Sequence, residues 1–134
     1  MLETDAWGNF ILTGYDYMSA RDWARFGLLH LRDGMWNGER ILPEGWVDFV
    51  SSPAPANEND GYGGLFWLNA GGSMDRVPAD AYWPAGFMGQ NTVIVPSRDV
   101  IVVRLGPSPG RGYNAYLNDL VGDVLDAIEP GGGR

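Results

Sequence analysis

The segment Val100-Ile101-Val102-Val103-Arg104-Leu105 is apolar at odd and even positions alike, with Arg104 the one exception. A strand with one wet face alternates, whereas an unbroken apolar run requires cover on both sides. It follows a second β-branched run, Thr92-Val93-Ile94-Val95, across Pro96-Ser97-Arg98-Asp99. Two such runs joined by a Pro-Ser-Arg-Asp linker read as an antiparallel hairpin. Gly86 and Gly89, spaced three apart, sit just ahead of the first run in Tyr82-Trp83-Pro84-Ala85-Gly86-Phe87-Met88-Gly89-Gln90-Asn91. Glycine there lets a backbone turn sharply or admits a ligand, and a bulge or a packing need explains it equally well.

The sheet therefore needs layers, and the chain offers one obvious one. Over 113–129, Tyr116, Leu117, Leu120, Val121, Val124, Leu125 and Ile128 recur at helical spacing on one face. The expected class is α+β: about three antiparallel strands, a C-terminal covering helix and further helices upstream. Such a sheet leaves an edge exposed, so the chain reads like the second half of a larger domain. The expected division is a helical part over 1–61, strands and covering helix over 62–129, and a disordered tail over 130–134.

Upstream, Trp7-Gly8-Asn9 and Thr13-Gly14-Tyr15 are turn signals in an extended segment. Ser19-Ala20-Arg21-Asp22 has capping-box spacing, with Asp in place of Glu, and opens a helix that ends near Asp33-Gly34. Its apolar residues cover most of its circumference, so it needs contacts on more than one side. Trp36-Asn37-Gly38-Glu39 carries an Asn-Gly turn signal. A second helix is expected over 43–50, with Pro43 in its first turn and Trp46, Val47 and Val50 as its stripe. Loops are expected over 51–61 and 71–81, a strand over 62–69, and a turn-rich link over 107–112.

Composition excludes several functions. The formal net charge is −8 over 134 residues, which leaves no basic surface for nucleic acid or an anionic membrane. No cysteine is present, so disulfides and thiolate chemistry are out; all nine basic residues are arginine. No apolar run reaches membrane-spanning length, and 1–5 lack the basic start of a signal peptide.

Several separated blocks resemble the serine β-lactamase-like superfamily, in the class C β-lactamase-related branch that includes esterases, D-amino-acid peptidases and amide hydrolases. They are Ser19-Ala20-Arg21-Asp22-Trp23-Ala24-Arg25-Phe26-Gly27-Leu28-Leu29, Asp33-Gly34-Met35-Trp36-Asn37-Gly38-Glu39-Arg40-Ile41-Leu42-Pro43, Tyr62-Gly63-Gly64-Leu65-Phe66-Trp67, Ala85-Gly86-Phe87-Met88-Gly89-Gln90 and 96–106. The resemblance implies a partial β-lactamase/transpeptidase-like fold and acyl-enzyme hydrolysis of a small ester or amide, with no cofactor or metal. A serine hydroxyl needs a neighbouring base to attack, and the family supplies it from Ser-x-x-Lys and Tyr-x-Asn. Ser-x-x-Lys cannot occur without lysine, and arginine keeps its proton at any working pH. Tyr116-Leu117-Asn118 spells Tyr-x-Asn but falls in the last helix, with Tyr116 on its expected buried stripe. No catalytic nucleophile or base is therefore expected in this chain. Met1 reads as an internal starting point of a longer protein, whose N-terminal half is the expected partner, self-association being the alternative.

The family's third motif matches Pro84-Ala85-Gly86. That resemblance implies Phe87 N–H as one oxyanion donor, and Pro84 in place of Lys or His favours an esterase-like or amidase-like relative. Tyr82, Trp83 and Gln90 either line the cleft or serve the core and its hydrogen bonds. A non-catalytic, aromatic-rich module binding carbohydrate or a protein is the competing function. His30, the sole histidine, is expected to be structural. Asp119, Asp123 and Asp126 are expected to form a solvated helix face, with metal binding the alternative.

Overall fold

A computed structural model describes residues 3–9, 11, 16–108 and 113–128. The Thr13-Gly14-Tyr15 turn, most of the 107–112 link and the 130–134 tail lie outside those residues. The fold is α+β, consistent with part of a β-lactamase-like domain: an antiparallel sheet between helices, with the C-terminal helix covering one face.

The first helix, α1 (Ala20–Leu31), is capped by Ser19, whose hydroxyl accepts the Asp22 N–H and donates to the Asp22 carboxylate. The shorter Asp thus answers the cap through its hydroxyl rather than its backbone. Strands β1 (Met35–Trp36) and β2 (Glu39–Arg40) form the hairpin that Asn37-Gly38 announces, both at positive φ. Helix α2 (Trp46–Ser51) starts three residues later than its sequence indicates. Gly45 adopts φ +78°, a left-handed conformation incompatible with helix, so Pro43–Gly45 form only a turn.

The expected strand over 62–69 is cut to β3 (Trp67–Leu68), with an isolated bridge from Tyr62 to Trp67. Gly63 and Gly64 cause the difference. A Cβ at Gly63 would lie 2.5 Å from the Val50 carbonyl oxygen, and one at Gly64 2.7 Å from the Phe49 ring. The chain turns back there because only glycine can lie this close to α2. The loop over 71–81 is irregular yet fixed. Buried Asn69 donates to the Met74, Val77 and Pro78 carbonyls and accepts from Met74 N–H and Ser73.

Among the described residues the sheet has five strand segments, where about three strands were expected, in the order β3, β4 (Tyr82–Trp83), β6 (Gln90–Val95), with β5 (Ala85–Gly86) and β7 (Val100–Arg104) also paired to β6. The pairs Tyr82↔Ile94, Ala85↔Asn91 and Gly86↔Gln90 share one register, so β4 and β5 are one strand interrupted by Pro84. Proline has no N–H for the ladder, but its carbonyl still accepts from Thr92 N–H at 3.4 Å.

Alternation along β6 divides the core in two. Val93 and Val95, with Trp83 and Val102, pack against Leu117, Val121 and Leu125 of α3 (Tyr113–Ile128). Ile94 and Tyr82, with Phe66, Leu68 and Val50, form the second cluster, to which α1 adds Phe26 and Leu31. On that side a Cβ at Gly27 would sit 2.9 Å from Ile101 Cγ2 and 3.1 Å from Thr92 Cγ2, so α1 rests directly on the sheet. β7 is covered on both faces, as its composition requires, yet its outer edge has no strand beside it among the described residues.

Five side chains differ from their sequence reading or resolve it. Tyr116 is 55% exposed instead of buried, with the Arg104 guanidinium 5.8 Å from its ring centre. Trp46, expected on the α2 stripe, is also exposed, leaving Val47 and Val50 to make that contact. Asp119, Asp123 and Asp126 converge on Arg76, at 3.7, 2.8 and 2.8 Å. Ion pairs this exposed add little stability. No helix of the described residues is long and apolar enough to cross a membrane.

Candidate functional site

Along the strand 82–86, main-chain groups point alternately toward β6 and away from it. Pro84 faces β6, so Ala81, Trp83 and Ala85 face outward. Ala81 O accepts from Asn69 N–H, and Trp83 pairs with Trp67. Ala85 comes next, but β3 has no residue opposite it. Leu65 adopts φ +71°, and the chain leaves the sheet there. The edge of β5 is therefore open, with Ala85 and Gly86 exposed.

That edge borders a groove of about 900 Å³. Pro84, Ala85, Gly86, Phe87 and Gln90 all line it, together with Asn91 and Thr92 of β6 and Asp16, Tyr17, Met18, Trp23, Leu65 and Leu105. Of the residues singled out in the sequence, the structure thus brings Pro84, Ala85, Gly86, Phe87 and Gln90 together. It places Tyr82 and Trp83 elsewhere, in the two halves of the core. Tyr82 is fully buried; desolvation pushes its phenol pKa upward, with the Asp33 charge adding to the effect.

The tip beyond β5 is held rigidly. Met88 and Gly89 both adopt positive φ. The Gln90 amide donates to Gly106 O at 3.0 Å and accepts Gly106 N–H at 2.7 Å. Arg104 donates to Gly89 O at 2.8 Å and also binds Gly106 O and Ser108. Gln90 lines the groove, but its amide is committed to hydrogen bonding. A Cβ at Gly86 would come 3.1 Å from Gln90 Cβ, so Gly86 is needed for space beside a side chain that cannot yield. Phe87, one residue past the last ladder pair, is 87% exposed.

Two groove residues carry unsatisfied oxygens. Asn91 is 3% exposed; its Nδ2 donates to Gly89 O, but its Oδ1 has no hydrogen-bond partner. Asp16 Oδ1 is likewise buried and unpartnered. An acceptor left this way costs roughly 1–3 kcal/mol. Sequence reading missed both, and the sole signal was an Asn at the start of a β-branched run. His30 lies outside the groove, buried between Phe26 and Phe66, with Nδ1 3.0 Å from Phe26 O. Burial lowers its pKa, with the Phe26 carbonyl opposing. The described residues contain no cluster of three or more His, Asp or Glu arranged to hold a metal.

The fold alone defines a structural class. The chain superposes on a solved putative 6-aminohexanoate-dimer hydrolase from Bacillus anthracis with a TM-score of 0.60 at 22% identity, over 81% of this chain and 29% of that one. In sequence it is similar to an uncharacterized protein of Alkalihalophilus pseudofirmus, 31% identical over 122 residues, which cover 81% of this chain and 36% of the relative. It is also similar to the 6-aminohexanoate-dimer hydrolase of Paenarthrobacter ureafaciens, 27% identical over 124 residues, covering 83% of this chain and 30% of that enzyme. The chain spans about a third of the length of these curated relatives. No protein-family profile matches it.

Proposed function

We propose that this chain is the C-terminal part of a β-lactamase-related serine hydrolase and supplies one wall of its acyl-transfer site. The observation that carries the proposal is the open edge at Ala85–Gly86 beside the groove. There a substrate's main-chain-like amide or ester can pair with Ala85 as an added strand. Phe87 continues the outward-facing set and presents its N–H to the developing oxyanion. One such donor is worth about 10²–10³ in rate. The attacking serine and its base come from the upstream part of the domain, consistent with a chain that has no lysine. The relatives' name points to the substrate class: a 6-aminohexanoate dimer is a linear amide.

The 134-residue chain alone should hydrolyse neither fluorogenic esters nor nitrocefin. Mixed with a separately expressed segment carrying Ser-x-x-Lys and Tyr-x-Asn, it should gain ester or amide turnover that Gly86→Val abolishes. Turnover by the chain alone, or none after a stable complex forms, overturns the proposal. Glycan binding without affinity for the upstream segment would instead favour a binding module.

A further inference from the structure

We propose that Asn37 is a self-modifying site, at which the Gly38 main-chain nitrogen closes on the Asn37 carboxamide and expels ammonia. An Asp or Asn stands directly before a glycine at Asp33-Gly34, Asn37-Gly38 and Asp60-Gly61. In each the attacking atom is the glycine nitrogen, and glycine lacks the Cβ that would crowd its approach. The structure separates the three. Gly34 N–H donates to Leu29 O at 2.8 Å, and Gly61 N–H donates to Asn57 Oδ1 at 3.0 Å and Asn59 Oδ1 at 3.2 Å. Those nitrogens are pinned. Among the described residues, neither the Gly38 N–H nor the Asn37 carboxamide has a hydrogen-bond partner. By contrast, the carboxamide of Asn69 is bound into the loop that follows it, and that of Asn118 is bound to Asp75 and Arg76.

The turn also leaves room for the attack. Asn37 and Gly38 are both exposed, and a Cβ at Gly38 would meet nothing within 4 Å. The hairpin is fastened at its base by the pairs Met35↔Arg40 and Trp36↔Glu39, so the peptide between Asn37 and Gly38 is its least restrained unit. The step balances without a cofactor. Gly38 N bonds to Asn37 Cγ as the Cγ–Nδ2 bond breaks, and the proton from Gly38 N leaves with Nδ2 as ammonia. Solvent water then opens the cyclic imide. Opening at the side-chain carbonyl leaves aspartate at position 37; opening at the main-chain carbonyl leaves isoaspartate, which carries the chain through its β-carbon. The extra main-chain atom falls inside the hairpin whose Arg40 holds the end of α1, through Asp33 O at 2.6 Å and the Asp33 carboxylate at 3.0 Å. Ageing at this one turn therefore loosens the clasp on α1.

The inference goes beyond the hydrolase reading and does not depend on it. The full chain is incubated in warm, mildly alkaline buffer and mapped by mass spectrometry after cleavage at arginine, which isolates 33–40 with Asn37 as its sole asparagine. That peptide should gain the mass difference between an amide and an acid severalfold faster than any other asparagine peptide. An isoaspartyl carboxyl methyltransferase should label most of the product. Asn37→Gln, which would need a six-membered ring, should remain unconverted, and Gly38→Ala should slow conversion severalfold. The separated isoaspartyl form should show faster amide exchange over 35–40, with the α3 amides as protected as before. Equal rates at all asparagines, faster conversion at another one, a product with no isoaspartate, or unchanged exchange over 35–40 overturns the inference. The peptide comparison within the unmutated chain decides the matter even where Gly38→Ala distorts the turn.

Discussion

The two faces of the sheet are built to different standards. On the α3 side, Val93, Val95 and Val121 are fully buried, and the layer is almost wholly aliphatic apart from Trp83. On the α1 side, Phe26, Phe66 and Tyr82 pack as tilted or stacked rings around a buried histidine. The Tyr82 hydroxyl on that side has no partner, while Phe49 and Leu65 stay exposed. One face is a finished core; the other combines a core with the wall of a groove. Aliphatic layers gain chiefly from close packing, whereas aromatic ones also accommodate polar groups. The same sheet thus separates a closed core from a face that borders a groove.

The sharpest challenge to this contrast is Leu117→Ala, at the centre of the aliphatic face. It should lower unfolding free energy by about 2–5 kcal/mol in urea titrations; a loss comparable to a surface substitution would abolish the distinction. Gly27→Ala tests the other face, since its methyl must displace Ile101 or Thr92. We expect a smaller loss of about 1–3 kcal/mol and faster amide exchange in α1, with the α3 amides protected as before.

His30 sharpens the comparison through pH. Its folded-state pKa lies below the ordinary 6.5 because burial opposes the charge. Below pH 6.5 the unfolded chain binds a proton that the folded chain refuses. The contribution of neutral His30 is therefore complete above that pH and lost as pH falls toward the folded-state value. Urea midpoints at pH 7.5 and 5.5 should separate more for the parent chain than for His30→Leu. Phe87→Ala should have the least effect, within about 0.5 kcal/mol of the parent, because an exposed ring at a hairpin tip contributes little to folding.

Legibility in the sequence followed the locality of the cause. The β6–β7 hairpin, the span of α3, the Asn37-Gly38 turn and the Ser19 cap are set by neighbours in the chain, and their residues announced them. Gly63-Gly64 also announced a break, but the strand reading over 62–69 passed over it because the cause, the backbone of α2, lies a dozen residues away. The late start of α2 was hidden similarly, since the conformation of Gly45 outweighs Pro43's preference for a first turn. Residues 84–87 were singled out by resemblance, and the structure places them on the groove. Asp16, Leu65 and Leu105 were invisible because only the tertiary path brings them beside β5. Asn69 had no local signature either, although one amide organises the loop that follows it.

The guanidinium of Arg104 reaches the carbonyl of Gly89 on one side and lies over the ring of Tyr116 on the other. It is a strut between the hairpin tip and the last helix. The position of the turn at Gly89, on the rim of the groove, is thus tied to a helix on the opposite face of the sheet.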